Sequence, residues 1–189
     1  MSIEKTKAND VVTSGLIAGS APQEHAKATG KYVVECLDKD GNLKWVAETE
    51  NLVVNVGLQY AAGVALTSTT QITAWYIGLY GAGASNTPAA TDTLAIHAGW
   101  TEITPYAGSR PAATFAAATN ANPSVVTNTA SPASFSINAT ATVGGAFLCS
   151  AASGTSGTLF SAADFQSPGD RSVASGDTLN VTYTFSLAG

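Results

Sequence analysis

The sequence predicts a mainly β protein: an antiparallel β-sandwich, jelly-roll-like, with one buried helix at about residues 55–66 and an extended N-terminal arm. Three observations predict it. Residues 178–187 (TLNVTYTFSL) alternate strictly, with Leu179, Val181, Tyr183, Phe185 and Leu187 on one face of a strand and Thr178, Asn180, Thr182, Thr184 and Ser186 on the other. A long strand with one apolar and one polar face belongs to an antiparallel sheet folded over a core. From Pro111 onward, short strand-like runs are separated by the turn-rich spacers NANP, TASP, SGTSG and SPGD, the punctuation of a sandwich or jelly roll. The third observation is the segment 55–66, the one long run with helical spacing.

Taken in order, residues 1–30 mix Lys, Asp, Gly, Ser and Pro22 without sustained periodicity, which predicts an arm outside the core. The remainder, 31–189, reads as a single domain, long enough to bury roughly 70% of its unfolded surface. Tyr32–Asp38 and Leu43–Thr49 flank DKDGN and predict a hairpin. That loop begins like a calcium-binding loop, but Leu43 and Thr49 stand where the pattern needs Gly and Glu. Asn55 is placed to cap the helix, Val56, Tyr60 and Val64 form one stripe, and the segment is apolar nearly all round, which predicts burial.

Gln71–Tyr80 (QITAWYIGLY) carries β-branched and aromatic residues on both faces, as a central strand does. The following GAGASN lacks the third glycine of a phosphate-binding turn and runs into Pro88, so it reads as a surface loop. Thr91 or Asp92 caps a short helix ending near Gly99, and Trp100–Pro105 is extended. Strand-like runs follow at Ala113–Ala118, Ser124–Thr129, Ala133–Thr140, Val143–Ser150 and Thr158–Phe165, giving eight to ten strands with those already named. The candidate core is Trp45, Tyr60, Trp75, Ile77, Trp100, Phe147, Phe160, Val181, Tyr183 and Phe185.

Composition narrows the function. Charged residues are 11% of the chain, less than half the ~25% of an average soluble domain. Six of the eight basic residues precede position 45, and from residue 51 onward the charges are Asp92, Glu102, Arg110, Asp164, Asp170, Arg171 and Asp177. Most of the fold therefore has a nearly neutral surface, which suits a protein packed against copies of itself or a partner. A net charge of −5 without a basic cluster argues against nucleic acid, and no apolar run is long enough for a membrane span. Cys36 and Cys149, more than a hundred residues apart, read as small buried hydrophobes.

Catalytic constellations are not evident. The chain has no G-x-S-x-G, no H-E-x-x-H, no P-loop and no Cys/His metal cluster, so neither a cofactor nor a metal is expected and the chain does not read as an enzyme. His97 has no histidine, cysteine or carboxylate at metal-ligand spacing and reads as structural, and His25 lies in the arm. Asp170–Arg171 and Asp177 read as surface ion pairs.

Several segments in order, NLVVNVGLQY, WYIGLY, DTLAIHAGWTEITPY with its following RPA, GGAFL, GTLFSAADF and RSVASGDTLNVTYTFSL, together resemble a family of small structural proteins of tailed bacteriophages. The resemblance covers roughly residues 50–187, and its members are head decoration or cement proteins and tail-fibre-like proteins. It implies a virion protein on the outer head surface, made in the host bacterial cytoplasm. Its implied partners are the major capsid protein and further copies of the chain as a homodimer or homotrimer. The alternative it implies is a tail or fibre component that binds the host surface, with loops 81–90 or 154–157 as recognition loops. Under the first reading the arm, with Lys5, Lys7, Asp10 and Lys27, is the candidate capsid contact.

Overall fold

The computed structural model describes residues 26–82, 87–166 and 169–189. Strands β1 (Lys27–Leu37) and β2 (Leu43–Glu50) form the expected hairpin. Its turn is held by the Asp38 carboxylate, which accepts from the Asp40 and Asn42 backbone N–H groups at 2.9 and 2.8 Å. Gly41 supplies the left-handed residue there, with φ +83°. β1 begins earlier than composition suggests: Lys27–Gly30, read as part of the arm, are already laddered to β11 (Thr178–Ala188), with Lys27 opposite Ala188.

After β3 (Leu52–Val53) comes α1 (Asn55–Leu66), at the boundaries expected. The other strands are β4 (Tyr76–Gly81), β5 (Glu102–Ile103), β6 (Ser124–Thr127), β7 (Ala133–Ser136), β8 (Ala141–Cys149), β9 (Leu159–Asp164) and β10 (Arg171–Val173). Three of the eleven strands among the described residues, β3, β5 and β10, are only two or three residues long, too short for alternation to mark them in the sequence.

Among the described residues all ladders are antiparallel and make two sheets. One has the order β2-β1-β11-β6, with β7 also on β11; the other runs β3-β9-β8-β4-β5, with β10 on β8. β11 is the spine of the first sheet. One edge pairs with β1 over its whole length, while the other takes β7 at 178–181 and then β6 at 184–187. Buried Asn128 fills the gap between those two strands: its Oδ1 accepts from the Tyr183 N–H at 2.6 Å and its Nδ2 donates to the Val181 carbonyl at 3.1 Å. A side chain thereby replaces the missing strand pairing, which a buried backbone requires.

The sheets meet face to face. Tyr32, Val34, Phe135, Leu179, Val181 and Tyr183 from one, and Ile77, Leu79, Val143, Ala146, Leu148 and Ala163 from the other, share one apolar core. Burying a large apolar side chain of this kind contributes about 1.5–3 kcal/mol. A second layer covers the back of the second sheet, where Val54, Leu94 and Trp100 pack on Tyr80, Phe147, Cys149, Leu159 and Ala162. Gly78 and Gly145 make room for this layer, because a Cβ on either would run into the Phe147 or Tyr80 ring. Residues 111–119 cross between the sheets. The Pro111 carbonyl and Ala113 N–H bond to Ile77 and Trp75, and the Ala116 and Thr119 N–H groups bond to Thr127 and Val125. The strand expected at Ala113–Ala118 is this crossing segment.

Three expectations are corrected. The helix is not buried: Gly57 is its one buried residue, and Leu58 and Leu66 are 43% and 87% exposed. It packs a single stripe on β9, where a Cβ on Gly57 would strike the Phe160 carbonyl, and among the described residues its outer side is left uncovered. Asn55 does not cap it; Val54 holds that position without a side-chain bond, and the Asn55 N–H goes to the Ala90 carbonyl at 2.8 Å. Residues 91–99 form turns, not a helix, because the Asp92 carboxylate accepts from both Ala89 N–H and the Trp100 indole, each at 3.0 Å. Of the candidate core, Ile77, Trp100, Phe147, Phe160, Val181 and Tyr183 are buried, whereas Trp45, Tyr60, Trp75 and Phe185 pack against the core while partly exposed.

Candidate functional site

Among the described residues, His97, Arg110 and Asp177 can each be followed to their partners. His97 stacks on Trp100 at 3.7 Å between centroids, and its Nδ1 lies 2.9 Å from the Trp100 carbonyl. The imidazole thus covers the indole that Asp92 anchors, a structural role as its isolation in sequence implies. Arg110, barely noticed in the sequence, is almost fully buried and fully engaged. Its Nε and Nη2 make a bidentate pair with Glu102 at 2.7 and 2.6 Å, and Nη1 and Nη2 also donate to the Ala151 and Gly154 carbonyls at 2.8 and 2.9 Å. Its guanidinium lies 5.2 Å from the Phe147 ring centroid. One side chain therefore ties the 151–154 loop to β5, and a bidentate fork is the group suited to that geometry.

Asp177 corrects the expectation of a surface ion pair. It is buried, it pairs with Lys44 Nζ at 2.5 Å, and it accepts from the Ala174 N–H at 2.8 Å. Burial alone would raise its carboxyl, but the Lys44 ammonium and the Ala174 N–H outweigh that and hold it below the ordinary carboxylate value. Arg171, its near neighbour in sequence, sits 5.9 Å from the Trp45 ring centroid, over its face. Cys36 lies against Asp177, and burial with that negative neighbour pushes its thiol up to about 11. Burial likewise raises Cys149. Both thiols are free and buried. Among the described residues no group of three or more His, Cys, Asp or Glu could hold a metal ion, and no helix is long and apolar enough to cross a membrane.

Surfaces remain as the candidate site. The outer face of β11 shows Thr178, Asn180, Thr182, Thr184 and Ser186, all partly exposed, beside Thr127 of β6, whose hydroxyl lies 3.0 Å from that of Thr184. α1 carries no charge and exposes Leu58, Ala62, Ala65 and Leu66, with Leu52 of β3 also exposed nearby in the chain. At one end of the sandwich, Tyr60, Trp75, Phe160 and Phe185 touch edge-on in series, with ring centroids 5.4, 5.4 and 5.3 Å apart. Sequence reading named all four aromatics, but as core, because an aromatic at a rim and one in a core carry the same hydrophobic signal.

Of the arm candidates, Lys5, Lys7 and Asp10 lie outside the described residues, as do Gly83–Asn86 of the GAGASN loop. Lys27 is the exposed first residue of β1. No protein-family model matches the chain, and comparison with curated proteins and with solved structures finds no match for it either.

Proposed function

We propose that the chain is a virion structural protein that binds the outside of a bacteriophage capsid and stabilises the shell, as a cement or decoration protein. The observation that carries this reading is the uncharged, partly apolar exterior formed by α1 and β3 together with the threonine-rich face of β11. Exposed apolar patches of this kind mark contact with another protein, and neutrality removes the repulsion that keeps free monomers apart. The segment-by-segment resemblance to phage structural proteins supports the same reading and names the partners: the major capsid protein and other copies of this chain. Affinity would be spread over area and multiplied by symmetry, with each copy joining several capsid subunits at once.

The test is the stoichiometry and position of the protein in purified particles. Electron cryomicroscopy should show its density repeated over the capsid lattice, in fixed ratio to the major capsid protein. A few copies confined to the tail would overturn the reading in favour of a tail or fibre component. Within the cement reading, deleting residues 1–25 should leave the sandwich folded by circular dichroism and weaken attachment to shells. Attachment as strong as that of the full chain would remove the arm from the contact.

A further inference from the structure

Three strands of the second sheet meet in one row at Gly145. Tyr80 of β4 stands opposite it on one side and Asp164 of β9 on the other, so both side chains share the back face of the sheet, about 10 Å apart at the backbone. Gly145 lends this row its own side-chain space, because a Cβ there would strike the Tyr80 ring and its hydroxyl. The phenol therefore reaches over β8 toward Asp164. Tyr80 is fully buried, and its hydroxyl has no hydrogen-bond partner among the described residues. A buried polar atom in that state is rare and calls for a bound water or ion.

The second carboxylate comes from β10. Arg171 of that strand pairs with Val143, whose other side is taken by Gly81 of β4, so β9 and β10 lie along the same edge of β8. After Asp164, the Phe165 N–H still bonds the Gly144 carbonyl at 2.8 Å, and Arg171 is back on the edge opposite Val143. Positions opposite 145 and 143 are about 7 Å apart along a strand, and Asp170 is one residue from the second of them. Among the described residues neither Asp164 nor Asp170 makes an ion pair. The Arg171 guanidinium lies over Trp45, and Asp164 accepts from the Gln166 amide at 3.2 Å. Burial raises the Asp164 carboxyl and the charge of Asp170 raises it further, while burial and the same two carboxylates raise the Tyr80 phenol.

We propose that Asp164, Asp170 and the Tyr80 hydroxyl form a calcium site that clamps the end of β9 to the residue leading into β10. Two carboxylates and a neutral phenol are hard oxygen donors in an uneven arrangement. Calcium tolerates irregular geometry and fills its remaining positions with water, whereas magnesium demands a near-ideal octahedron. With two carboxylates the site belongs at the weak end of the calcium range, about 10⁻⁴–10⁻³ M. The ion would neutralise two charges that have no paired cation and give the buried hydroxyl an electrophile to face.

The test uses the full chain stripped of metal with a chelator and titrated with terbium, a calcium stand-in whose emission is sensitised by nearby aromatic rings. Tyr80 and Trp100, 5.2 Å apart between centroids, supply the sensitiser. Emission should rise to saturation, and calcium should reverse it at concentrations about tenfold or more below those magnesium needs. Asp170 is exposed, so Asp170→Asn should stay folded by circular dichroism while weakening terbium and calcium binding about tenfold or more. Calcium should also raise the thermal midpoint of the parent and leave that of the Asp164→Asn/Asp170→Asn variant unmoved. Tyr80→Phe, which keeps the ring, should weaken calcium binding with the emission still sensitised through Trp100. Emission that calcium does not reverse, magnesium competing as well as calcium, or a titration unchanged by Asp170→Asn would each overturn the proposal.

Discussion

Phe147 is the side chain on which the second apolar layer depends, and its removal has a magnitude that the structure constrains. The ring is fully buried on the back of the second sheet, lies in the space a Cβ on Gly78 would need, and meets Trp100 at 4.9 Å and the Arg110 guanidinium at 5.2 Å. Truncating a buried Phe to Ala costs roughly 3–5 kcal/mol. Losing the ring contact with Trp100 belongs to the upper part of that range, since such pairs add about 0.5–1.5 kcal/mol beyond burial. Arg110 keeps its bonds to Glu102, Ala151 and Gly154, so no buried charge is orphaned and the loss should not exceed about 5 kcal/mol. Against a total of about 5–15 kcal/mol, Phe147→Ala should be folded but severely weakened. Urea unfolding followed by tryptophan fluorescence measures it, with an unchanged slope showing that only stability moved. Gly78→Ala sharpens the test. Alone it drives a methyl into the Phe147 ring and should cost about 1–3 kcal/mol. Combined with Phe147→Ala it should cost less than the sum, or even recover stability, because the new methyl enters vacated space. Additive losses, or a Phe147→Ala loss under about 2 kcal/mol, would show that the layer is not packed as described.

Other expectations follow from the same contacts. Because the Asp177 carboxyl is held below its ordinary value, its contribution is complete above the unfolded value of ~3.9 and is lost as pH falls through the folded value; Asp177→Asn should shrink the acid-side loss seen in pH-dependent unfolding, and an unchanged acid limb would contradict this. Asp38, lowered by its turn bonds to Asn42 and Asp40, leaves a residual acid dependence in that variant. Cys36 and Cys149, both raised and buried, should resist a thiol reagent near the ordinary thiol value of ~8.5 and react only on unfolding; rapid native labelling of either would mean that its strand opens. Gly57→Ala should destabilise by about 1–3 kcal/mol, since the new methyl meets the Phe160 carbonyl, even though Ala favours a helix by about 1 kcal/mol over Gly. A stabilised variant in thermal unfolding would mean that α1 is not seated on β9.

What the sequence reveals depends on how far apart the cooperating residues lie. β11 and the first hairpin are legible because alternation and turn chemistry are local, and α1 has its expected limits for the same reason. The exposure of α1 is not legible: an all-round apolar helix reads as buried, and only the tertiary arrangement shows that one side is uncovered among the described residues. Asp92 looked like a helix cap because Asp before an apolar run is the usual cap signal, yet the indole of Trp100 eight residues on competes for its carboxylate. Arg110 gave little signal because two of its acceptors, Ala151 and Gly154, are 41 and 44 residues away. Asn128 is similar, since its bonds replace strand pairing to residues 53 and 55 positions distant. Trp75 and Phe185 were read as core, and no periodicity separates a core aromatic from one at the rim of an open slot.

The place of β11 between β1 and the β7–β6 edge has a consequence for biosynthesis. Lys27–Leu37 find their long ladder partner in Thr178–Ala188, so on the ribosome the first hairpin, complete at Glu50, waits with one of its edges bare until about 130 further residues have been made. Pairing so distant in sequence is slow to form, because the loop must close before the contacts repay it. Until then that bare edge offers itself to other nascent copies. A polysome translating this message is therefore where strand exchange between chains has its best opportunity, well before any finished molecule meets another.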